Sequence, residues 1–150
     1  TMFESLAPLV SEHMPMGKPR YLMGVGTPST LVHAVGCGVD MFDCVLPTRT
    51  ARMGTAFSSE GRLNLKNARF ATDDAPIDPA CHCPACAGGF TRAYVHHLVR
   101  QREMLGSILL SQHNVCYVLD LMRRARQVII DGTYAAFVAA WDQSPASRDW

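Results

Sequence analysis

The sequence predicts a mixed α/β fold in which two short parallel strands belong to a larger sheet or barrel. Apolar runs at residues 21–25 and 41–46 have the length of buried strands. Between them, residues 27–28 (Thr-Pro) are typical of a helix start, and Gly36 or Gly38 ends that helix. Parallel sheets have both faces covered and contain several such units. The strand–helix–strand unit is therefore expected to be the end of a larger sheet or barrel.

The pattern divides the chain into four segments. The first is loosely patterned, contains three prolines and supplies no strand that we can identify, so it is interpreted as a lead-in from an earlier part of the fold. The second holds the strand unit, the third a cysteine cluster with two helices, and the last a short apolar stretch and a polar end. The boundaries are 1–20, 21–70, 71–132 and 133–150.

Periodicity gives three further expectations. Alternating stretches near residues 56–58 and 62–66 predict a short hairpin. Apolar stripes at helical spacing predict one helix at about 91–111 and a second at about 114–130. Gly132 is expected to end the second helix.

Composition limits the partners and the compartment. The formal net charge is +1, so contacts with nucleic acid would depend on local basic clusters. One cluster begins at Arg49 and Arg52; another, at residues 123–126, is interpreted as a solvated helix face. No apolar run approaches the roughly 20 residues that span a bilayer, and no export signal is recognisable. A cytoplasmic protein without membrane contact, with reduced thiols, is predicted.

Cys81, Cys83 and Cys86 form a C-x-C-x2-C cluster. Three thiolates on a tight loop are typical of a zinc site that takes a fourth ligand from a nearby element. The spacing alone leaves His97 and His113 as alternatives for that ligand, and three buried or redox-active thiols without metal are the alternative to a zinc site. A complete set of four protein ligands leaves no open position, so a zinc ion here would be structural.

Asp43 lies within the apolar run at 41–46. Reactive groups in parallel α/β folds lie where strands end, and a half-buried carboxylate costs free energy unless it is hydrogen-bonded or catalytic. An aspartate that only accepts hydrogen bonds from loop amides explains the position equally well. Asp40 is interpreted as a structural residue at the start of the strand.

Several sequence blocks occur in order across residues 19–130. Together they resemble the bacterial tRNA-guanine transglycosylases (queuine tRNA-ribosyltransferases), of which the chain looks like the C-terminal portion. The blocks are RYLMGVG at 20–26, GVDMFDCVLPTR at 38–49, CHCPAC at 81–86, RAYVHHL at 92–98, LG at 105–106 and HN at 113–114.

The resemblance implies a TIM (β/α)8 barrel with a zinc-binding subdomain and C-terminal helices, of which this chain would hold the last two barrel strands. Such an enzyme exchanges guanine at wobble position 34 of GUN-anticodon tRNAs for 7-aminomethyl-7-deazaguanine, through a covalent Asp–ribose intermediate. The implied partners are the tRNA anticodon loop, the 7-deazaguanine base and a second copy in a homodimer. The implied cofactor is a structural Zn²⁺ ion.

The resemblance also implies a role for individual residues. The nucleophile corresponds to Asp43, and the fourth zinc ligand to His113 rather than His97. The base substrate would lie at Met23 and Gly24. The zinc ligands would be Cys81, Cys83, Cys86 and His113, and the RNA-contacting residues would be Gly24, Val25, Gly26, Thr27, Pro28, Ser29, Thr30, Thr48, Arg49, Thr50, Ala51 and Arg52.

The chain departs from the family pattern at a few points. Thr50 and Met53 stand where asparagines are usual, and one extra residue lies near residues 88–89. The general-base aspartate and the rest of the base pocket would lie upstream, so this chain alone is expected to be inactive. The alternatives are a non-catalytic, zinc-containing RNA-binding or accessory subunit, an archaeal-type relative acting at another tRNA position, and a degenerate product.

Overall fold

The computed structural model describes residues 2–148 and has a helix-rich α/β fold. Its helices are α1 Met2–His13, α2 Pro28–Gly36, α3 Leu46–Arg52, α4 Pro84–Ala87, α5 Arg92–Gln101, α6 Met104–Ile130 and α7 Tyr134–Gln143, with 3-10 turns at Ala68–Phe70 and Pro145–Ser147; its strands are β1 Tyr21–Leu22, β2 Met41–Phe42, β3 Thr55–Ala56 and β4 Leu63–Asn64.

The two predicted strands pair in parallel, with Tyr21 opposite Met41. Both are shorter than expected, and the predicted extent of the second strand is wrong. Leu46 begins α3 instead of ending a strand, and Pro47 lies in the first turn of that helix. Proline favours this position because its φ angle suits a helix and its missing N–H would have no partner there.

The predicted start of α2 is confirmed. Thr27 has extended backbone angles and its hydroxyl oxygen accepts a hydrogen bond from the Thr30 N–H at 3.2 Å. Pro28 follows as the first helical residue. The cap satisfies one of the N–H groups that every helix start leaves unpaired.

Helix α1 was not predicted, because the first segment is loosely patterned and contains three prolines, of which Pro8 lies inside the helix. The spacing of Phe3, Leu6 and Val10 places them on one helix face. That face packs against Ala34 of α2 and against Val39. Burial of this stripe stabilises the helix despite the internal proline.

The hairpin prediction is confirmed. Strands β3 and β4 pair antiparallel, with Thr55 opposite Asn64. Its buried apolar side chains, together with those of the cysteine loop, α5 and α6, form the main core; the buried members are Ala51, Ala56, Leu63, Leu65, Phe70, Ile77, Cys83, Ala85, Val95, Leu98, Leu109 and Leu110.

The predicted break between the two long helices is misplaced. Helix α5 ends at Gln101, and Arg102 adopts a left-handed conformation with φ 60°. Helix α6 then continues through residues 111–114 without interruption. The junction falls here because Gly106 packs closely on the preceding helix: a Cβ atom at this glycine would lie 3.1 Å from that of Leu98.

The C-terminal part folds back onto α2. Gly132, with φ 69°, follows the end of α6 as predicted. Trp141 of α7 then packs with Val32 of α2 and Leu121 of α6. The last two residues of the predicted 133–150 segment, like residue 1, lie outside the described residues. Across residues 2–148, no helix combines the length and hydropathy needed to cross a membrane.

Candidate functional site

The three clustered cysteines converge with His113. Their Sγ atoms and a ring nitrogen of the histidine all lie within 4.8 Å of one another, a group that could hold a metal ion. Cys83 is the N-cap of α4, and its sulfur accepts a hydrogen bond from the Cys86 N–H at 3.4 Å. The sulfur of Cys81 accepts one from the Cys83 N–H, also at 3.4 Å. The loop therefore holds the sulfurs in place through its own backbone.

His113 is completely buried and is oriented by both of its ring nitrogens. Nε2 lies 2.7 Å from the carbonyl oxygen of Phe57. Because a carbonyl only accepts hydrogen bonds, Nε2 carries the proton and Nδ1 presents its lone pair. Nδ1 lies 3.4 Å from the sulfurs of Cys83 and Cys86. A carbonyl that fixes the tautomer of a histidine in this way is typical of a metal ligand.

The two other histidines near the cluster do not join it. His97 lies on the exposed face of α5, and His82 is exposed although it sits between two of the cysteines. The geometry therefore selects His113 over His97, the alternative that spacing left open.

The three thiols share their negative charge unequally. Hydrogen bonding from Cys86 is the main cause that lowers the pKa of Cys83 below its ordinary value. Burial raises the pKa of Cys81 to about 12, and hydrogen bonding to Cys83 raises the pKa of Cys86. Without a cation the site thus favours a single thiolate. A bound dication would stabilise all three, which is the donor set that soft and borderline metals prefer.

Asn114, the next residue of α6, links the metal cluster to α3. Its side chain is completely buried. The amide oxygen accepts a hydrogen bond from the Phe57 N–H at 2.9 Å. The amide nitrogen donates to the carbonyls of Pro47 at 2.9 Å and Thr55 at 3.0 Å, and lies 3.4 Å from the hydroxyl of Thr50. This role of Asn114 was not predicted from the sequence. An amide side chain on the apolar face of a predicted helix is the feature that could have indicated it.

Arg92 fixes the segment that leads into the cysteine loop. Its guanidinium donates to the carboxylates of Glu60 at 2.9 Å and Asp73 at 3.4 Å. It also donates to the carbonyl of Ile77 at 3.2 Å. The arginine side chain is only 8% exposed, so these partners replace the water it loses on folding.

Arg92→Met keeps the apolar stem and removes these bonds. We expect it to lower the free energy of unfolding by about 2 kcal/mol, since the Ile77 carbonyl stays buried without its donor while the carboxylates remain partly solvated. Urea denaturation of the natural polypeptide measures this. Arg100→Met, on the exposed side of the same helix, is the matched control and should change stability by less than about 0.5 kcal/mol. Equal losses in the two variants would contradict this role.

Asp43 follows β2 directly and is held from two directions. Its Oδ1 accepts a hydrogen bond from the Tyr21 hydroxyl at 2.7 Å and from the Gly24 N–H at 3.1 Å. These donors, the hydroxyl first, lower the pKa of Asp43 below its ordinary value of 3.8. The carboxylate is exposed in this chain, not half-buried as the sequence suggested. It is ionised at neutral pH and accessible.

The segment at 24–30 approaches Asp43 closely. A Cβ atom at Gly26 would lie 2.3 Å from the Cβ of Cys44, so only glycine fits this crossing. Further along, Pro28 is buried, and the Ser29 hydroxyl donates to the Ser147 carbonyl at 2.9 Å. Gly24 is exposed and available to a ligand, whereas Gly26 and Pro28 are buried and the Ser29 side chain faces the protein.

The predicted RNA-contacting residues 48–52 belong to α3 and are therefore helical. Thr50 and Ala51 point inward, and the Thr50 hydroxyl donates to the Leu46 carbonyl at 2.8 Å. Arg49 and Arg52 are exposed on the outer face. The structure thus presents the two arginines together on the side of α3 that faces solvent.

Comparison with known proteins shows the family to which the chain belongs. A family model described as queuine tRNA-ribosyltransferase matches residues 1–147. Three proteins named queuine tRNA-ribosyltransferase are similar: one from Sorangium cellulosum, 51% identical over 93% of this chain and 36% of its own length; one from Sphingopyxis alaskensis, 55% identical over 83% and 33%; and one from Granulibacter bethesdensis, 57% identical over 79% and 31%. The chain thus spans about a third of the length of these relatives, and it belongs to the queuine tRNA-ribosyltransferase family.

Proposed function

We propose that this chain forms part of a tRNA-guanine transglycosylase, which exchanges guanine at wobble position 34 of GUN-anticodon tRNAs for 7-aminomethyl-7-deazaguanine in queuosine biosynthesis. The observation that carries the proposal is the Asp43 carboxylate, which is ionised, exposed and oriented by two donors. Family membership over nearly the whole chain supports the same activity. A tRNA substrate would place the protein in the cytoplasm.

Asp43 would act as the nucleophile. Tyr21 and Gly24 both donate hydrogen bonds to Oδ1, so Oδ2 is the oxygen that would attack the ribose. Its electron pair forms a bond to C1′ of the target ribose while the C1′–N9 bond breaks and its electrons leave with guanine. The general base expected in the other strands would protonate N9 of the departing guanine and take the N9 proton of the incoming base, whose nitrogen then bonds to C1′ and releases the carboxylate. Two inversions give retention at C1′, as in retaining glycosidases.

Tyr21 and Gly24 would position the nucleophile. Two hydrogen bonds to one oxygen fix the plane of the carboxylate and keep it unprotonated. Gly24 adopts φ 73°, a conformation that glycine reaches without a steric penalty. Met23, 72% exposed beside it, would contact the substrate base from the same turn.

We infer that the metal site binds zinc and is structural. Three thiolates and one imidazole match the donors of closed tetrahedral zinc sites. Four protein ligands leave no position for a water or a substrate. Bound zinc would contribute folding free energy to the cysteine loop and the hairpin. It would have no part in the transfer reaction.

Recognition of RNA would use the outer face of α3 and the turn next to Asp43. Arg49 and Arg52 are three residues apart on one helix and share a face. Guanidinium groups suit phosphates and base edges. The target base would leave the anticodon stack to reach Asp43, as single-stranded loops permit.

The remainder of the fold would be a TIM barrel, with β1 and β2 as two of its strands. Around this pair, large apolar side chains lie open: Tyr21 is 44% exposed, Met41 50% and Val45 58%. Side chains at these positions would be covered in a complete barrel. The chain alone is expected to be inactive, because the other strands supply the general base and the rest of the base pocket.

A homodimer is also part of the proposal. Met104, Ile108, Val115 and Leu119 follow helical spacing along α6 and are 40–76% exposed. Tyr94 of α5 is 42% exposed. An apolar stripe of this kind is typical of a subunit interface.

Guanine exchange tests the proposed function directly. We expect the natural polypeptide that carries this chain to incorporate labelled guanine into a stem-loop RNA with a GUN anticodon. The same stem-loop with adenine at position 34 should incorporate none. Absence of label from both RNAs would contradict the activity, and equal labelling would contradict the recognition of the wobble base.

A further inference from the structure

A groove of about 640 Å³ lies where the end of α3, the segment after β4 and the α5–α6 junction meet. Four cationic side chains line it: Arg52, Lys66, Arg100 and Arg102. Glu103 is the single acidic residue among the described residues of its wall. The whole chain carries a net charge of only +1, so this groove concentrates positive charge in one place.

No carboxylate in the described residues neutralises any of these four cations. All four are exposed, and none lies within 4.0 Å of a carboxylate oxygen in residues 2–148. In contrast, Arg123 on the outer side of α6 is paired with Asp120. Unpaired cations that face a common groove repel one another, which a bound anion would relieve.

Arg102 ends α5 in a left-handed conformation, which many helices use at their C-terminus. It is the single non-glycine residue with positive φ within residues 2–148. Glycine adopts this conformation without the steric penalty that a side chain incurs. The chain nevertheless places a long cation here, at the edge of the groove.

We propose that this groove binds the sugar–phosphate backbone of the RNA substrate. The inference rests on the proposed function and extends its RNA-binding surface beyond α3. Arg52 connects the two regions, because it lines the groove and shares the outer face of α3 with Arg49. RNA leaving the Asp43 site past α3 would thus meet three further cations. Such a track of phosphate contacts supplies affinity without reading sequence.

The lining favours RNA over an acidic protein segment. Val99 is the single apolar member of the described wall. Protein interfaces depend on buried apolar and aromatic anchors, which this groove does not offer.

Salt dependence of RNA binding tests the proposal. The natural polypeptide would be titrated with a fluorescent GUN-anticodon stem-loop by anisotropy, at several KCl concentrations. For the triple variant K66Q/R100Q/R102Q we expect the Kd to rise by at least about tenfold at 0.1 M salt, and the slope of log Kd against log salt to fall by roughly two. The matched control R123Q/R124Q/R126Q removes three cations outside the groove and should change neither quantity appreciably.

R102G separates binding from folding. Glycine removes the charge and relieves the backbone, so the Tm should stay equal or rise while the RNA Kd increases. Groove variants with unchanged Kd and salt slope would overturn the proposal. So would variants that alter only self-association, because the groove would then serve a second copy. If the unaltered protein bound no RNA and transferred no guanine, the proposed function itself would be contradicted.

Discussion

Asp43→Asn is expected to abolish both guanine exchange and the denaturation-resistant RNA adduct. An amide lacks the negative charge that attacks C1′, and removal of a nucleophile costs at least about 10⁴-fold in rate. Asparagine has almost the same shape, and position 43 is exposed, so the fold should be retained. Exchange kinetics and gel mobility of the RNA under denaturing conditions measure the effect.

A second variant tests how the nucleophile is tuned. Tyr21→Phe removes the donor that contributes most to the lowered pKa of Asp43. The pKa should therefore rise, and the acid limb of the rate profile should move to higher pH. Because the folded pKa is lowered, ionised Asp43 is present above that pKa and is lost as the pH falls through it.

Undiminished exchange by Asp43→Asn would contradict the role of this residue as the nucleophile and would favour the non-catalytic accessory subunit instead.

His113→Ala is expected to produce the largest loss of stability. It removes one of four ligands and leaves the carbonyl of Phe57 buried without its donor. Bound zinc should fall from about one per chain to well below that, because affinity depends on the complete ligand set. The metal contributes folding free energy, so unfolding should become easier by more than about 3 kcal/mol.

The matched control is His97→Ala. His97 was the alternative ligand on sequence spacing, and it lies exposed on α5. Its removal should leave zinc content unchanged and alter stability by less than about 0.5 kcal/mol. Metal analysis together with thermal unfolding distinguishes the two histidines. Full zinc occupancy in His113→Ala, or its loss in His97→Ala, would contradict the ligand assignment.

The metal centre was the most predictable part of the molecule. The C-x-C-x2-C spacing is a local property, so the sequence alone indicates three ligands. The fourth depends on where α6 passes the cysteine loop. That path follows from close packing at Gly106 and from the left-handed turn at Arg102, neither of which a hydrophobic pattern reveals. The choice of His113 therefore needed the family resemblance.

Two prolines lie within helices that were not predicted from the sequence. Pro8 belongs to the first segment, in which no helix was predicted, yet it lies within α1, whose apolar face packs on α2. Pro47 was taken to end a strand, yet it lies in the first turn of α3. In each case tertiary packing and helix position decided the outcome rather than the residue type.

Side-chain networks were the least predictable feature. Asn114 joins α6 to α3 and the hairpin through residues more than fifty positions away in sequence. Such contacts exist only once the chain is folded. The same applies to the hydrogen bonds of Asp43. The sequence indicated this residue as a candidate, but only the structure reveals that Tyr21 and Gly24 donate hydrogen bonds to its carboxylate.

Mass analysis of the trapped RNA adduct tests the central claim most directly. Trypsin should release residues 21–49 as one peptide, since this stretch contains a single basic cleavage residue, at its end. The peptide includes Asp40 as well as Asp43, which provides an internal control. We predict that fragmentation places the ribose remnant of the GUN stem-loop on Asp43. A remnant on Asp40, on another peptide or on none would contradict this account.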